Sequence, residues 1–230
     1  DDDGAVEKFE LAFAILSDEL GETSDTATTM NNLGLVLHER GNGELGDLDR
    51  AQTLYEGALR IWKATKGDES LEVGEAVNNL GYLLHDRGDF QGARELLEEV
   101  VALWTRLLGP DDPKSLTALS NLAILLHDQG DSVTAKAHLL HILEAREKLL
   151  GPNHPDVAKS LNNLATTIFG LNELEDARKY FFRALAIDER VYGREHPSTA
   201  TTLNNYGMIL HIEGVNGKDR EKLEEAKRVY

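Results

Sequence analysis

Paired carboxamide residues recur along this chain at a nearly constant spacing. They occupy Asn31/Asn32, Asn78/Asn79, Ser120/Asn121, Asn162/Asn163 and Asn204/Asn205, and the second members are separated by steps of 47, 42, 42 and 42 residues. A carboxamide both donates and accepts hydrogen bonds, so such a row can pair with a peptide backbone of any sequence. Asn is also a mediocre helix former, so its repetition needs a cause. Two causes are open: binding of a peptide, and hydrogen bonding between neighbouring helices.

Histidines recur a short distance after these pairs. His38, His85, His127 and His211 hold equivalent positions, and Phe169 takes the place in the fourth unit. A row of imidazoles suggests a metal site, but equivalent side chains on neighbouring helices lie roughly 10 Å apart. That distance is too long for one ion with bonds of about 2.0–2.1 Å. We therefore predict no metal.

The sequence carries no recognisable catalytic constellation. It has no cysteine, no Gly-rich phosphate loop, no Gly-x-Ser-x-Gly elbow and no HExxH motif. The glycines that it does contain fall where helices end or pack closely. We therefore predict a protein that is not an enzyme and that needs no cofactor.

The elements that carry the paired residues are helices arranged in hairpins. In the third unit Leu116, Leu119, Leu122 and Leu126 recur every three or four residues, which indicates one apolar helix face. Gly41, Gly88, Gly130, Asn172 and Gly214 are each predicted to end a first helix in the left-handed conformation. The predicted organisation is a single array over 1–230: a lone second helix (1–21), full hairpins at 24–67, 71–109, 113–151 and 155–193, and a truncated repeat (197–230) in which Ala226 and Tyr230 start a second helix.

Composition narrows the classes of partner. The formal net charge is −17, and such a field repels phosphate backbones, so nucleic-acid binding is not expected. No apolar run approaches the ~20 residues that a membrane-spanning helix needs, so no membrane association is expected. We expect an intracellular, cytoplasmic protein.

The repeated residues resemble the tetratricopeptide repeat (TPR). Each unit has Leu followed by Gly or Ala in its first helix, and Ala-x3-aromatic/Leu-x2-Ala in its second. The period of 42 residues and the linkers LGPDDP, LGPNHP and YGREHP are similar to the kinesin light chain subtype. The resemblance implies an all-α fold, a right-handed superhelical solenoid of antiparallel helix hairpins. It also implies that the first helices line a concave groove that binds peptides. The groove residues predicted on this basis are Asn31, Asn32, Asn78, Asn79, Tyr82, His85, Asn121, His127, Lys159, Asn162, Asn163, Asn204 and Asn205.

The predicted groove differs in charge from that of the kinesin light chains, whose basic grooves take acidic peptides. Here it carries Glu39, Glu75, Asp86 and Asp128 against one lysine, Lys159. The predicted partner is therefore a protein or peptide that is neutral or basic and has an apolar anchor. Two alternatives are an architectural segment that self-associates through uncapped ends, and a sensor array of a larger NTPase-type signalling protein.

Overall fold

The computed structural model describes residues 2–41 and 45–229, and within these ranges every regular element is an α-helix. The helices are α1 (Asp2–Leu20), α2 (Ser24–Arg40), α3 (Leu45–Lys66), α4 (Leu71–Asp86), α5 (Phe90–Leu108), α6 (Pro113–Asp128), α7 (Ser132–Leu150), α8 (Pro155–Gly170), α9 (Leu174–Tyr192), α10 (Pro197–Gly217) and α11 (Arg220–Val229). The all-α fold class is thereby confirmed. The predicted role of Tyr230 lies outside the described residues.

Short polar residues start many of these helices. The hydroxyl of Thr23 accepts from the backbone N–H of Thr26, and the carboxylate of Asp89 accepts from that of Gly92. His154 and His196 do the same with Nδ1, which accepts from the N–H of Asp156 and Ser198. In both cases proline follows at the first helical position, where its missing N–H costs nothing. These two histidines are therefore helix caps.

Two of the five predicted left-handed helix ends are wrong. Gly88, Gly130 and Asn172 have positive φ, as predicted, but Gly41 has φ −70° and continues in right-handed geometry. Gly214 lies inside α10, which extends to Gly217 before Lys218 turns left-handed. The reason for glycine at 214 is close packing, since a Cβ there would lie 2.8 Å from Cγ of Leu223 in α11.

The chain divides into two compact units, Asp1–Ala118 and Leu119–Tyr230. In the first unit α2 packs on α1 and α3, and α4 packs on α3 and α5. Their core contains Val6, Leu33, Leu37, Ala51, Tyr55, Leu80 and Leu83. In the second unit each helix from α7 to α11 packs on the next one along the chain. The single array over 1–230 remains a prediction.

Small residues allow the paired helices to approach one another. A Cβ on Gly34 would lie 2.8 Å from Cε1 of Tyr55, so the ring of α3 rests directly on the backbone of α2. The matching alanines of the second helices, Ala51, Ala93, Ala135 and Ala177, are fully buried. No helix in the described part of the chain is long and apolar enough to cross a membrane.

Candidate functional site

Within each unit the paired residues lie along the first helices, and the surface that they form there with Leu35, Tyr82, His38, His85, His127 and Lys159 is here called the first-helix face of that unit. The leading members Asn31, Asn78 and Ser120 are buried. Asn79, Asn121, Asn162, Asn163 and Asn205 are half-buried, and Asn32 and Asn204 are exposed. The predicted residues therefore differ in how much of each side chain a ligand could reach.

Some of these carboxamides hydrogen-bond neighbouring repeats to each other. The Nδ2 of Asn79 donates to Oδ1 of Asn31 over 3.0 Å, and the Nδ2 of Asn205 donates to Oδ1 of Asn162 over 3.2 Å. In each pair the second Asn of one repeat reaches the first Asn of the repeat before it. Helix stacking is thus one role of these residues, and each bond still leaves donors and acceptors unused.

Asn163 differs from Asn79 and Asn205 because its carboxamide has no such partner. The position that would accept from it is Ser120, whose hydroxyl is one atom shorter than a carboxamide and is buried. Among the described residues no side-chain hydrogen bond is made by Asn163, nor by Asn32 or Asn204 at the two ends of the row. These three carboxamides are available to a ligand.

Aromatic and imidazole rings form a second part of the face in the first unit. Tyr82 is 40% exposed, and its ring stacks on His85, with 6.1 Å between centroids and 18° between planes. The ring of His38 lies 5.3 Å from that of Tyr82, and the ring of Phe90 lies 5.8 Å from that of His85. This cluster of rings presents an apolar surface of the kind that would hold an apolar anchor.

The two histidines of this cluster converge on one carboxylate. Nε2 of His38 lies 2.9 Å from Oδ2 of Asp86, and Nδ1 of His85 lies 3.2 Å from Oδ1. Because an ionised carboxylate only accepts, both ring nitrogens must carry a hydrogen and donate it. Burial alone would raise the pKa of the Asp86 carboxyl, but the hydrogen bonds and charge of the two histidines outweigh it and lower this pKa to about 2.

The charges predicted for the face are largely paired within the protein. Glu75 accepts from the ammonium of Lys114, and Asp86 is held by two histidines. Lys159 lies 3.7 Å from Asp156 and stays exposed. His127 is half-buried and its Nδ1 lies 2.9 Å from Oγ of Ser132 at the start of α7. The first unit is therefore less acidic toward a ligand than its composition suggests.

Two histidines of the row come together in the first unit. His38 and His85 meet only through Asp86, and the described ranges contain no group of three or more His, Cys, Asp or Glu side chains that could hold a metal ion.

A pocket of about 210 Å³ in the second unit contains a residue that the sequence prediction missed. It opens between α8, α9 and α10 and is lined by Ala158, Lys159, Asn162, Asn163, Asp188, Tyr192, Ser198, Thr201 and Thr202. Asp188 is its buried carboxylate. Asp188 lies late in a second helix, at the position that Trp62, Trp104 and Arg146 occupy in the preceding repeats. An alignment of the repeats therefore shows that the residue type changes at this position.

The repeats of this chain can be compared with known proteins. A profile of the tetratricopeptide repeat matches residues 43–102, 73–139, 117–189 and 157–214, which together make up well over half of the chain. The chain belongs to the tetratricopeptide repeat family. No curated protein sequence matches it.

Several solved structures share the TPR fold of this chain. BtubC (BKLC) from P. vanneervenii has a TM-score of 0.76 and 21% identity, over 98% of this chain and 88% of that one. Nearly identical TPR-like repeats from Podosopora anserina, assigned to a kinesin light chain, have a TM-score of 0.71 and 22% identity over 90% and 95% of the two chains. A Rap protein complexed with competence and sporulation factor has a TM-score of 0.65 and 16% identity over 97% and 64%. The prediction of a TPR protein of kinesin light chain-like form is confirmed, and at these identities the likeness concerns the fold.

Proposed function

We propose that this TPR protein is a protein-interaction scaffold that holds a polypeptide segment along its first-helix face. The observation that carries the proposal is the set of three unpartnered carboxamides on these faces: Asn32 in the first unit, which also presents the Tyr82 ring, and Asn163 and Asn204 in the second. The proposal contains no catalytic step, and a cytoplasmic location stays a prediction.

The chemistry of the face suits an extended polypeptide. Free carboxamides can pair with backbone N–H and C=O groups whatever the side chains are, so they supply affinity without strong sequence preference. Tyr82 and Leu35, at equivalent positions of successive repeats, are 40% and 41% exposed and offer contact area to an apolar side chain. The partner is thus expected to combine an accessible backbone with one apolar anchor.

The solved relatives support this type of function. A Rap protein that shares this fold has been solved in complex with competence and sporulation factor. Self-association remains the alternative, and light scattering separates the two, because only self-association makes the particle size grow with protein concentration.

Removing the free carboxamides tests the proposed function. Random 15-residue peptides displayed on phage are selected on the whole chain, and the recovered peptides are titrated by fluorescence polarisation. The triple variant Asn32→Ala/Asn163→Ala/Asn204→Ala is expected to weaken binding at least about tenfold, because each lost hydrogen bond contributes on the order of 0.5–1.5 kcal/mol. It should fold normally, since none of the three side chains bonds to another described residue.

The matched control is Asn153→Ala, which removes an exposed carboxamide from the loop between α7 and α8. This variant is expected to bind like the wild type. Full affinity in the triple variant would mean that the selected peptides bind elsewhere, and the first-helix face would then lose its assigned role.

A further inference from the structure

The carboxylate of Asp188 is buried beside the pocket and accepts few hydrogen bonds from the protein. Asp188 is only 5% exposed, and its Oδ2 accepts from the hydroxyl of Thr202 over 2.8 Å. That hydroxyl has one hydrogen and also lies 3.2 Å from the backbone oxygen of Ser198. No described cation lies within ion-pair distance of Asp188. A buried carboxylate ordinarily accepts several hydrogen bonds, so Asp188 accepts fewer than is usual for its burial.

The electrostatic state of Asp188 agrees with this geometry. Burial raises the pKa of its carboxyl, and the hydrogen bond from Thr202 and the charges of His196 and Lys159 offset only part of the rise. A positively charged group brought next to the carboxylate would therefore restore an interaction that the folded chain itself does not supply.

The neighbouring repeats show what normally occupies this place. Trp62 and Trp104 fill it with buried indoles, and Arg146 fills it with a guanidinium whose Nη1 donates to Oγ of Ser160 over 2.9 Å. Thr202 is the counterpart of Ser160, one repeat later. Asp188 keeps the bond to the hydroxyl but its side chain is shorter than that of Trp or Arg. The pocket lies beside the carboxylate, and a pocket of about 270 Å³ also lies beside Trp104 in the first unit, where no carboxylate takes the place of Asp188.

We propose that the pocket receives the guanidinium group of an arginine on the bound polypeptide, with Asp188 as its counter-ion. Asn163, Tyr192, Ser198 and Thr201 line the same pocket, and each of them carries a carboxamide or hydroxyl oxygen that can accept a hydrogen bond. A planar guanidinium carries five N–H donors and can use several acceptors at once, whereas an ammonium acts as a point charge. The inference rests on the proposed function, because it names a side chain of the segment held on the first-helix face.

Lys159 is the lysine that lines the pocket. Its side chain is 68% exposed and lies beside Asp156 at the rim, at 3.7 Å. If its ammonium swung inward, it would occupy the pocket and leave no room for a guanidinium. Replacing Lys159 by Met removes this competitor while Asp188 stays in place.

The test begins with a probe that does not need a peptide ligand. Nα-acetyl-L-arginine methylamide is titrated into the ¹⁵N-labelled whole chain, and amide shifts are followed by NMR. We expect saturable shifts at Asn163, Tyr192 and Thr202 that are lost, or weakened at least about tenfold, in Asp188→Asn. Lys159→Met is expected to bind at least as tightly as the wild type, and Nα-acetyl-L-lysine methylamide more weakly than the arginine probe. The melting temperature of Asp188→Asn should be no lower than that of the wild type, because the substitution removes a buried charge that has few hydrogen-bond donors. A loss of binding in this variant would therefore not reflect unfolding.

The matched control is Asp176→Asn, which neutralises an exposed carboxylate on the same helix and should leave binding of the probe unchanged. Shifts that persist in Asp188→Asn, or binding that appears only after Lys159→Met, would overturn the inference.

A second arm separates this inference from the proposed function. An arginine in a selected peptide is replaced by glutamine, and both peptides are measured on the wild type and on Asp188→Asn. The expected loss is at least about tenfold on the wild type and little on the variant. Equal losses on both proteins would overturn the pocket assignment and leave the scaffold function intact. Conversely, a probe that binds through Asp188 on a chain that selects no peptide would uphold the pocket and remove the scaffold function.

Discussion

Replacing Tyr55 by Ala is expected to lower the free energy of unfolding of the first unit by about 3–5 kcal/mol, the usual cost of deleting a buried aromatic ring. Tyr55 is completely buried and belongs to the core that joins α1, α2, α3 and α4. Its ring lies directly against Gly34. Because the neighbouring backbones are fixed by this contact, they can collapse only partly into the space that the ring leaves.

Tyr55→Phe separates the ring from its hydroxyl. The Oη atom is buried and has no hydrogen-bond partner within the described part of the chain, and burial, followed by the charge of Glu39, raises the pKa of the phenol. A buried polar group without a partner costs on the order of 1–3 kcal/mol. Tyr55→Phe is therefore expected to be neutral or stabilising, although the ring of the wild type is among the largest in the core.

Urea unfolding followed by tryptophan fluorescence measures how Tyr55→Ala and Tyr55→Phe change the free energy of unfolding of the first unit. The chain has two tryptophans, Trp62 and Trp104, and both are buried in the first unit. Leu11→Ala, which truncates a side chain of the first unit that is 64% exposed, serves as the control and should cost less than about 1 kcal/mol. A loss above about 1 kcal/mol for Tyr55→Phe would contradict the assignment of an unpartnered hydroxyl.

The helices could be predicted from the sequence because strong local signals mark where they start and stop. Glycine takes positive φ at Gly67, Gly109, Gly151 and Gly193, where each second helix ends. Proline follows a histidine cap at the start of α8 and α10. The predictions at Gly41 and Gly214 were wrong because glycine has two structural uses. It ends helices in the left-handed conformation and it permits close packing, and a sequence alone does not separate these uses.

The candidate site was predictable as a set of positions but not as a set of contacts. The spacing placed Asn31 and Asn79 on one face, yet their mutual hydrogen bond depends on how far apart the two helices pack. Asp188 was not predicted because a single carboxylate on a second helix gives no sign of its burial until the helices are packed. Its mismatch with Trp62 and Trp104 in the repeat register was the signal that could have revealed it.

Stability of the first unit is expected to fall in acid through Asp86. Its folded-state pKa, about 2, lies below the value of about 3.9 in an unfolded chain. A depressed carboxyl pKa contributes stability that is fully present above the unfolded value and is lost as the pH falls through the folded value. The contribution is therefore complete above about pH 5, declines between roughly pH 4 and pH 2, and is absent below that range.

Asp86→Asn removes this contribution at every pH. Because solvent reaches part of the carboxylate, whose side chain is 22% exposed, we expect a loss on the order of 1–2 kcal/mol at neutral pH, less than the unscreened shift would give. The difference between wild type and variant should shrink toward zero as the pH approaches 2. Urea unfolding followed by fluorescence of Trp62 and Trp104 between pH 2 and pH 7 measures it.

The control variant for this acid dependence is Asp68→Asn. The Asp68 side chain is 80% exposed and lies 4.0 Å from Lys63, so its removal should change stability by less than about 0.5 kcal/mol. If Asp86→Asn followed the wild type in parallel across the whole pH range, the carboxylate would not be held by its two histidines. The convergence in acid is the decisive feature, because a purely steric effect of the substitution would persist at low pH, whereas the loss of hydrogen bonds to a charged carboxylate must vanish once the wild-type carboxyl is itself protonated.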